Sequence, residues 1–189
     1  MVQAPSKSLT LEAFLALPET KPASEYINGE IIQKPMPKGK HSRLQGKLET
    51  AINDALEAQK IACAFTELRC TFGDRSIVPD VSVFTWERIP FDADGDIADD
   101  FESCPDWIIE VLSPGQSWTK LTSKILHALN NGAQMGWIID PKARSIVVYP
   151  AGQQLQLFDS DNASENLPGP AFAQSLFLTH GDIFSWLKL

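Results

Sequence analysis

The sequence predicts a mixed α/β fold, a sheet with helices packed on it, and three observations carry that reading. Apolar residues recur at three- and four-residue steps from His41 to Gln59, which makes one face of a long helix. Trp107 to Leu112 is a short run rich in branched residues, the signature of a strand buried on both faces. The elements follow one another as helix, hairpin, long helix, several strands, helix and hairpin, with Gly, Asn and Pro between them. No internal repeat and no long linker divides the chain, so residues 1–189 are expected to form one domain.

Each element has a local reason. Ser8 to Leu15 reads as a short helix with Ser8 as its cap and Pro18 beyond its end. Ser24 to Pro35 alternates around Asn28-Gly29, which predicts a hairpin. Ala62 to Phe72 and Ser76 to Thr85 are strand-like, with Gly73-Asp74 as the turn between them. Asp92 to Asp100 is a polar loop without periodicity. Thr119 to Asn130 is helical and stops at Asn131-Gly132. Gly136 to Asp140 and Ser145 to Tyr149 form a hairpin around Pro141-Lys142, and Gln154 to Phe158 adds a strand. Ser160 to Pro170 is loop, and Thr179 caps a closing helix that reaches Leu187.

Composition narrows the function classes. At 43% hydrophobic and 21% charged residues the chain is globular rather than disordered. No apolar run approaches the roughly 20 residues of a membrane helix. The N-terminus has no apolar signal-peptide core, so a cytoplasmic setting without membrane contact is expected. Cys63, Cys70 and Cys104 are too few and too scattered for a disulfide framework or a zinc site, and read as buried free thiols.

The net charge of −8 argues against a nucleic-acid partner until the acids are located. Seven of them fall between Asp92 and Asp106, a segment without Lys or Arg. The rest of the chain holds 17 acids and 16 bases. Ile31 to Leu48 has the opposite bias, with Lys34, Lys38, Lys40, Arg43 and Lys47 and no acid. Positive groups beside a helix N-terminus suit phosphate, which makes Lys38, Lys40, Arg43 and Lys47 candidate nucleic-acid contacts; a solvated basic loop is the plainer alternative.

Two acids stand in otherwise apolar strands, Asp80 in Ile77 to Phe84 and Glu110 in Ile108 to Leu112. An unpaired buried carboxylate costs several kcal/mol, so each needs Lys or Arg, backbone donors or a metal cation. Two such acids on adjacent strands offer oxygen ligands suited to Mg²⁺. Lys124 follows on the next helix among Leu121, Ile125, Ala128 and Leu129, placed to reach back over the end of the Glu110 strand. Glu25 and His41 are further candidates, Glu25 as an added metal ligand or a salt-bridge partner, His41 for phosphate contact, proton transfer or simple capping. Trp86, Trp107, Trp118 and Trp137 offer a stacking residue, with core packing the expected role of Trp107 and Trp137.

The ordered set Pro79-Asp80, Ile109-Glu110-Val111-Leu112-Ser113-Pro114, Lys124, Asn131-Gly132 and Trp137-Ile138-Ile139-Asp140-Pro141 resembles the Uma2 family (DUF820) of the PD-(D/E)XK nuclease superfamily. Glu25 to Glu30 and His41 are similar to it as well, and the likeness runs from about residue 10 to 187. The resemblance implies a restriction-endonuclease-like core with flanking helices and an extra β-hairpin. It matches Asp80 and Glu110 to the motif's acids and Lys124 to a lysine displaced onto the following helix, since the usual lysine position is Leu112. Two places depart from the family: Lys120 stands where an Asp is common, and Met135-Gly136-Trp137 where an acid–aromatic–Trp run is usual.

The expected function is then a Mg²⁺- or Mn²⁺-dependent endonuclease on DNA. Asp80 and Glu110, with a backbone carbonyl near Val111, hold the metal, and Lys124 assists. The alternatives are an inactive nuclease-fold module that binds nucleic acid or protein, and an assembly protein. A homodimer is compatible with all of these, through the hairpin from Trp137 to Tyr149 or the last helix.

Overall fold

The computed structural model describes residues 9–188. Helix α1 (Leu11–Leu15) is capped by Thr10, whose hydroxyl accepts a hydrogen bond from the Ala13 N–H at 3.2 Å. Ser8, expected in that role, lies outside the described residues. Strands β1 (Ser24–Ile27) and β2 (Glu30–Gln33) pair antiparallel across Asn28 and Gly29. Both turn residues have positive φ, 54° and 84°, which an Asn-Gly pair accommodates at little cost. Helix α2 (Gly39–Leu56) buries Leu44, Leu48, Ile52 and Leu56 on one stripe.

The two strands expected between residues 62 and 85 are four. They are β3 (Ala62–Thr66), β4 (Cys70–Phe72), β5 (Arg75–Ile77) and β6 (Val81–Thr85). Glu67, at φ 52°, turns the chain out of β3, and Pro79, which has no N–H for a ladder, lies in the gap before β6. The β4–β5 hairpin therefore leaves the main sheet and joins β1 and β2 in a four-stranded sheet ordered β2-β1-β5-β4. The main sheet continues with β7 (Trp107–Val111), β8 (Met135–Asp140), β9 (Ser145–Pro150) and β10 (Gln156–Phe158). Its order is β10-β9-β8-β7-β6-β3, with β7 and β8 parallel and joined across helix α3 (Trp118–Asn130). Helix α4 (His180–Ser185) closes the chain behind a reciprocal Thr179–Asp182 cap. This is the mixed α/β architecture the sequence predicts.

Alternation along the strands sorts the core into two layers. Val81, Val83, Trp107, Ile109, Val111, Trp137 and Ile139 face α2 and α4. Ile108 and Ile138 face the other way, against Leu121, Ile125 and Ala128 of α3. Trp107 and Trp137 are core residues in edge-to-face contact, with centroids 4.7 Å apart. Gly136 lets α3 approach, because a Cβ there would collide with the Ile125 side chain. Gly136→Ala should therefore lower the urea-unfolding free energy by about 1–3 kcal/mol, the usual cost of overpacking.

Topology also places the acidic segment. The chain from Trp86 to Asp106 leaves β6 and enters β7 at the sheet end opposite Asp80 and Glu110. Asp106 is structural: its carboxylate accepts bonds from Arg88 at 2.6 Å and from the Thr85 N–H at 2.8 Å. Asp92 turns its own loop by accepting the N–H groups of Asp94 and Asp96. The hairpin 137–149 is formed by β8 and β9, which lie inside the main sheet between β7 and β10. The three cysteines are free and buried, and burial raises the thiols to about 11 for Cys63 and about 12 for Cys70 and Cys104. Among the described residues no helix is long and apolar enough to cross a membrane.

Candidate active site

The antiparallel register of β6 and β7 sets Val81 against Ile109, so Asp80 and Glu110 come together one step beyond that pair. By alternation Glu110 shares the face of Ile108, towards α3. On α3 the buried stripe is Leu121, Lys124, Ile125 and Ala128, which carries Lys124 to the same place. The Lys124 Nζ lies 2.6 Å from Glu110 Oε1 and 2.7 Å from Glu25 Oε1. Glu25, from the middle of β1, is fixed in turn by the Val78 N–H at 2.8 Å. The second sheet thus contributes one acid, Glu25, which the structure brings together with Glu110 and Lys124 as a salt-bridge partner of the lysine.

Asp80 is held differently. Its Oδ2 accepts the Val111 N–H at 2.7 Å, and its Oδ1 lies 2.8 Å from Lys34 Nζ and 3.2 Å from His41 Nε2. Lys34, expected only as part of a basic stretch, also donates to the Val78 carbonyl at 2.8 Å and to both Glu67 oxygens at 3.0 Å. Gln45, one turn beyond His41 on α2, donates to Glu67 Oε1 and the Asp80 carbonyl. The other ring nitrogen of His41 lies 3.0 Å from Ser113 Oγ, just past β7. His41 is therefore part of the site and links Asp80 to the turn before α3.

Burial alone would raise the Asp80 carboxyl, but the Lys34 ammonium and His41 hold it well below the usual carboxylate range. Burial pushes Glu110 the other way, up to about 7, with Asp80 and Glu25 adding to the rise and the two lysines opposing it. Burial disfavours the charged Lys124 amine, yet Glu110 and Glu25 outweigh it and keep the amine firmly protonated. Neighbouring carboxylates with such different proton affinities are typical of sites that do chemistry.

The donor set fits a hard divalent cation. Glu110 Oε1 is buried and accepts no well-directed hydrogen bond, although Lys124 is close. Four carboxylates (Glu25, Glu67, Asp80, Glu110) face two ammonium groups, so the cluster has negative charge to spare. His41, Glu67 and Asp80 also bring one ligand atom each within 4.8 Å of one another.

Three cavities converge here, and Gln116 lines all of them. One of about 570 Å³ reaches Glu25, Lys34 and Lys124 between the β1–β2 hairpin and α3, with Lys120 on its wall. A second of about 600 Å³ holds Lys38, Lys40, His41, Ser113 and Lys142. A third of about 220 Å³ opens onto Lys34, Gln45, Glu67 and Asp80. Of the four candidate phosphate contacts, Lys38 and Lys40 thus stand beside the site. Arg43 instead donates to the Trp186 carbonyl at 3.1 Å, and Lys47 lines none of the three.

Glu67, Gln45 and Ser113 were not legible as site residues. Nothing in the sequence marks Glu67, because its place depends on a left-handed backbone turn. Lys34 carried one signal, a lone charge between a strand and Pro35.

The family model Uma2, described as "Putative restriction endonuclease", matches residues 11–180. A crystal structure described as a "putative nuclease belonging to DUF820", from Anabaena variabilis, is 55% identical with a TM-score of 0.91. The match covers 94% of this chain and 98% of that one. No curated protein matches the chain.

Proposed function

The chain belongs to the Uma2 family, and from its site we propose a nuclease that hydrolyses DNA phosphodiester bonds with Mg²⁺ or Mn²⁺. The observation that carries this reading is the meeting of Asp80, Glu110 and Lys124 at one sheet end, with a buried Glu110 oxygen lacking a directed hydrogen bond. Asp80 and Glu110 are the residues to hold the metal. When bound, the metal supplies Lewis-acid polarisation of the phosphate and a water of lowered pKa.

The chain's own groups do the rest. Lys124 is held protonated between Glu110 and Glu25 and offers positive charge where charge grows on the phosphoryl oxygens. Val111 N–H and His41 fix the Asp80 carboxylate in orientation. Lys38, Lys40 and Lys142 line the adjoining cavity and suit flanking phosphates. The acidic segment is attached at the other end of the sheet and lines neither cavity.

The test is nicking of supercoiled plasmid and cutting of single-stranded DNA with Mg²⁺, Mn²⁺ or EDTA. Cleavage should appear with metal and vanish with EDTA. Because Glu110 must be ionised to ligate and burial raises it to about 7, metal affinity should rise with pH and level off above that value. A second reading, a non-catalytic module that binds nucleic acid, draws on the observation that Asp80 is already paired with Lys34, His41 and the Val111 N–H. DNA binding with neither Mn²⁺ binding nor cleavage would favour it.

A further inference from the structure

Lys34 makes an unusual set of contacts for a lysine. Its ammonium has three protons but meets four oxygens, from Asp80, both arms of Glu67 and the Val78 carbonyl, all within 3.0 Å. Two carboxylates and a carbonyl are the ligands a hard metal cation takes. The side chain is buried, 8% exposed, and its charge sits directly on a carboxylate assigned above to the metal.

We propose that Lys34 is an exchangeable internal counter-ion: it occupies the cation position at Asp80 in the metal-free protein and is displaced when a divalent ion binds. The proposal rests on the metal-binding reading of Asp80 and Glu110. A divalent ion in contact with Asp80 Oδ1 would lie within a few ångströms of the ammonium and repel it. The lysine has somewhere to go. Its backbone stays anchored through the N–H to the Ala23 carbonyl at 2.9 Å, while its stem borders the cavity of about 570 Å³ at the mouth of the site. Four flexible carbons let the charge swing there without moving the strand. Lys124 borders the same cavity, but its ammonium is held between two acids that are both buried, whereas Glu67 beside Lys34 is 42% exposed. Two lysines in one cluster thus divide the work, one fixed and one mobile.

Two measurements on the full chain test the exchange. In titration calorimetry with Mn²⁺ alone, Lys34→Met should bind about tenfold tighter than wild type or better, because a competing positive charge is gone. In wild type, acetylation of lysines read by peptide mass spectrometry should become severalfold faster at Lys34 when Mn²⁺ is added, while Lys124 stays protected. The second measurement decides if the variant does not fold. Equal or weaker binding by folded Lys34→Met, or unchanged labelling of Lys34 while wild type binds Mn²⁺, overturns the exchange and leaves the metal reading standing. Binding by the variant where wild type has none supports the exchange. Absence of Mn²⁺ binding in both folded proteins removes the metal reading and the exchange with it.

Discussion

An Asp80→Asn variant folds and loses metal-dependent DNA cleavage by about 10²–10³-fold or more, the scale of removing a group that acts in the transition state. Asparagine keeps the shape and one carbonyl oxygen, so the Val111 N–H that now donates to Oδ2 at 2.7 Å retains an acceptor. Lys34 retains Glu67 and the Val78 carbonyl. The stability cost is therefore modest, about 1–3 kcal/mol by urea unfolding. What disappears is the negative charge that a hard cation needs. The Mn²⁺ binding heat should fall together with the cleavage rate.

The same substitution changes acid denaturation, and the sign is determined by the site. Asp80 has its carboxyl held below the ordinary value of 3.8, so its ionised form stabilises the fold above that value. That contribution is lost as the pH falls through the folded-state value. Asparagine has nothing to titrate, so the variant's stability should fall less steeply on acidification than that of wild type. Wild-type cleavage in a folded Asp80→Asn protein would remove Asp80 from the site.

How much of this was written in the sequence depends on distance along the chain. Helix α2, strand β7 and the first hairpin were legible, because each is specified by its own period or turn residues. Asp80, Glu110 and Lys124 stood out for a related reason: a charge in an apolar run contradicts its local pattern. The division of residues 62–85 was hidden. The β4–β5 hairpin has the strand-like composition of its neighbours, and only pairing with β1 shows that it belongs to a different sheet. The Lys34–Asp80 pair spans 46 positions, and no local rule connects them. A run of five basic residues looked uniform, yet folding divides it: Lys34 enters the ion cluster, Lys38 and Lys40 border the cavity, and Arg43 ties down the C-terminal segment. The excess negative charge, which argued against a DNA substrate, lies in a loop that joins the sheet at its far end.

Lys124→Met should have the largest effect on stability, lowering the unfolding free energy by about 3–5 kcal/mol and abolishing cleavage. Methionine fills the space beside Leu121 and Ile125 well, so packing is not the reason. The loss comes from Glu25 and Glu110, left facing each other in a site where both side chains are at most 5% exposed. Glu110 already binds its proton more tightly than an ordinary carboxyl, and without Lys124 it should protonate at still higher pH. Pairing the substitution with Glu110→Gln separates the two consequences. The double variant has one buried carboxylate fewer to leave uncompensated, so it should recover a large part of the lost stability while remaining inactive. If Lys124→Met costs less than about 1 kcal/mol, the amine is not the buried partner of both acids, because that range belongs to exposed ion pairs. If the double variant regains stability and also cleaves DNA, Lys124 and Glu110 are a structural ion pair and neither takes part in the chemistry.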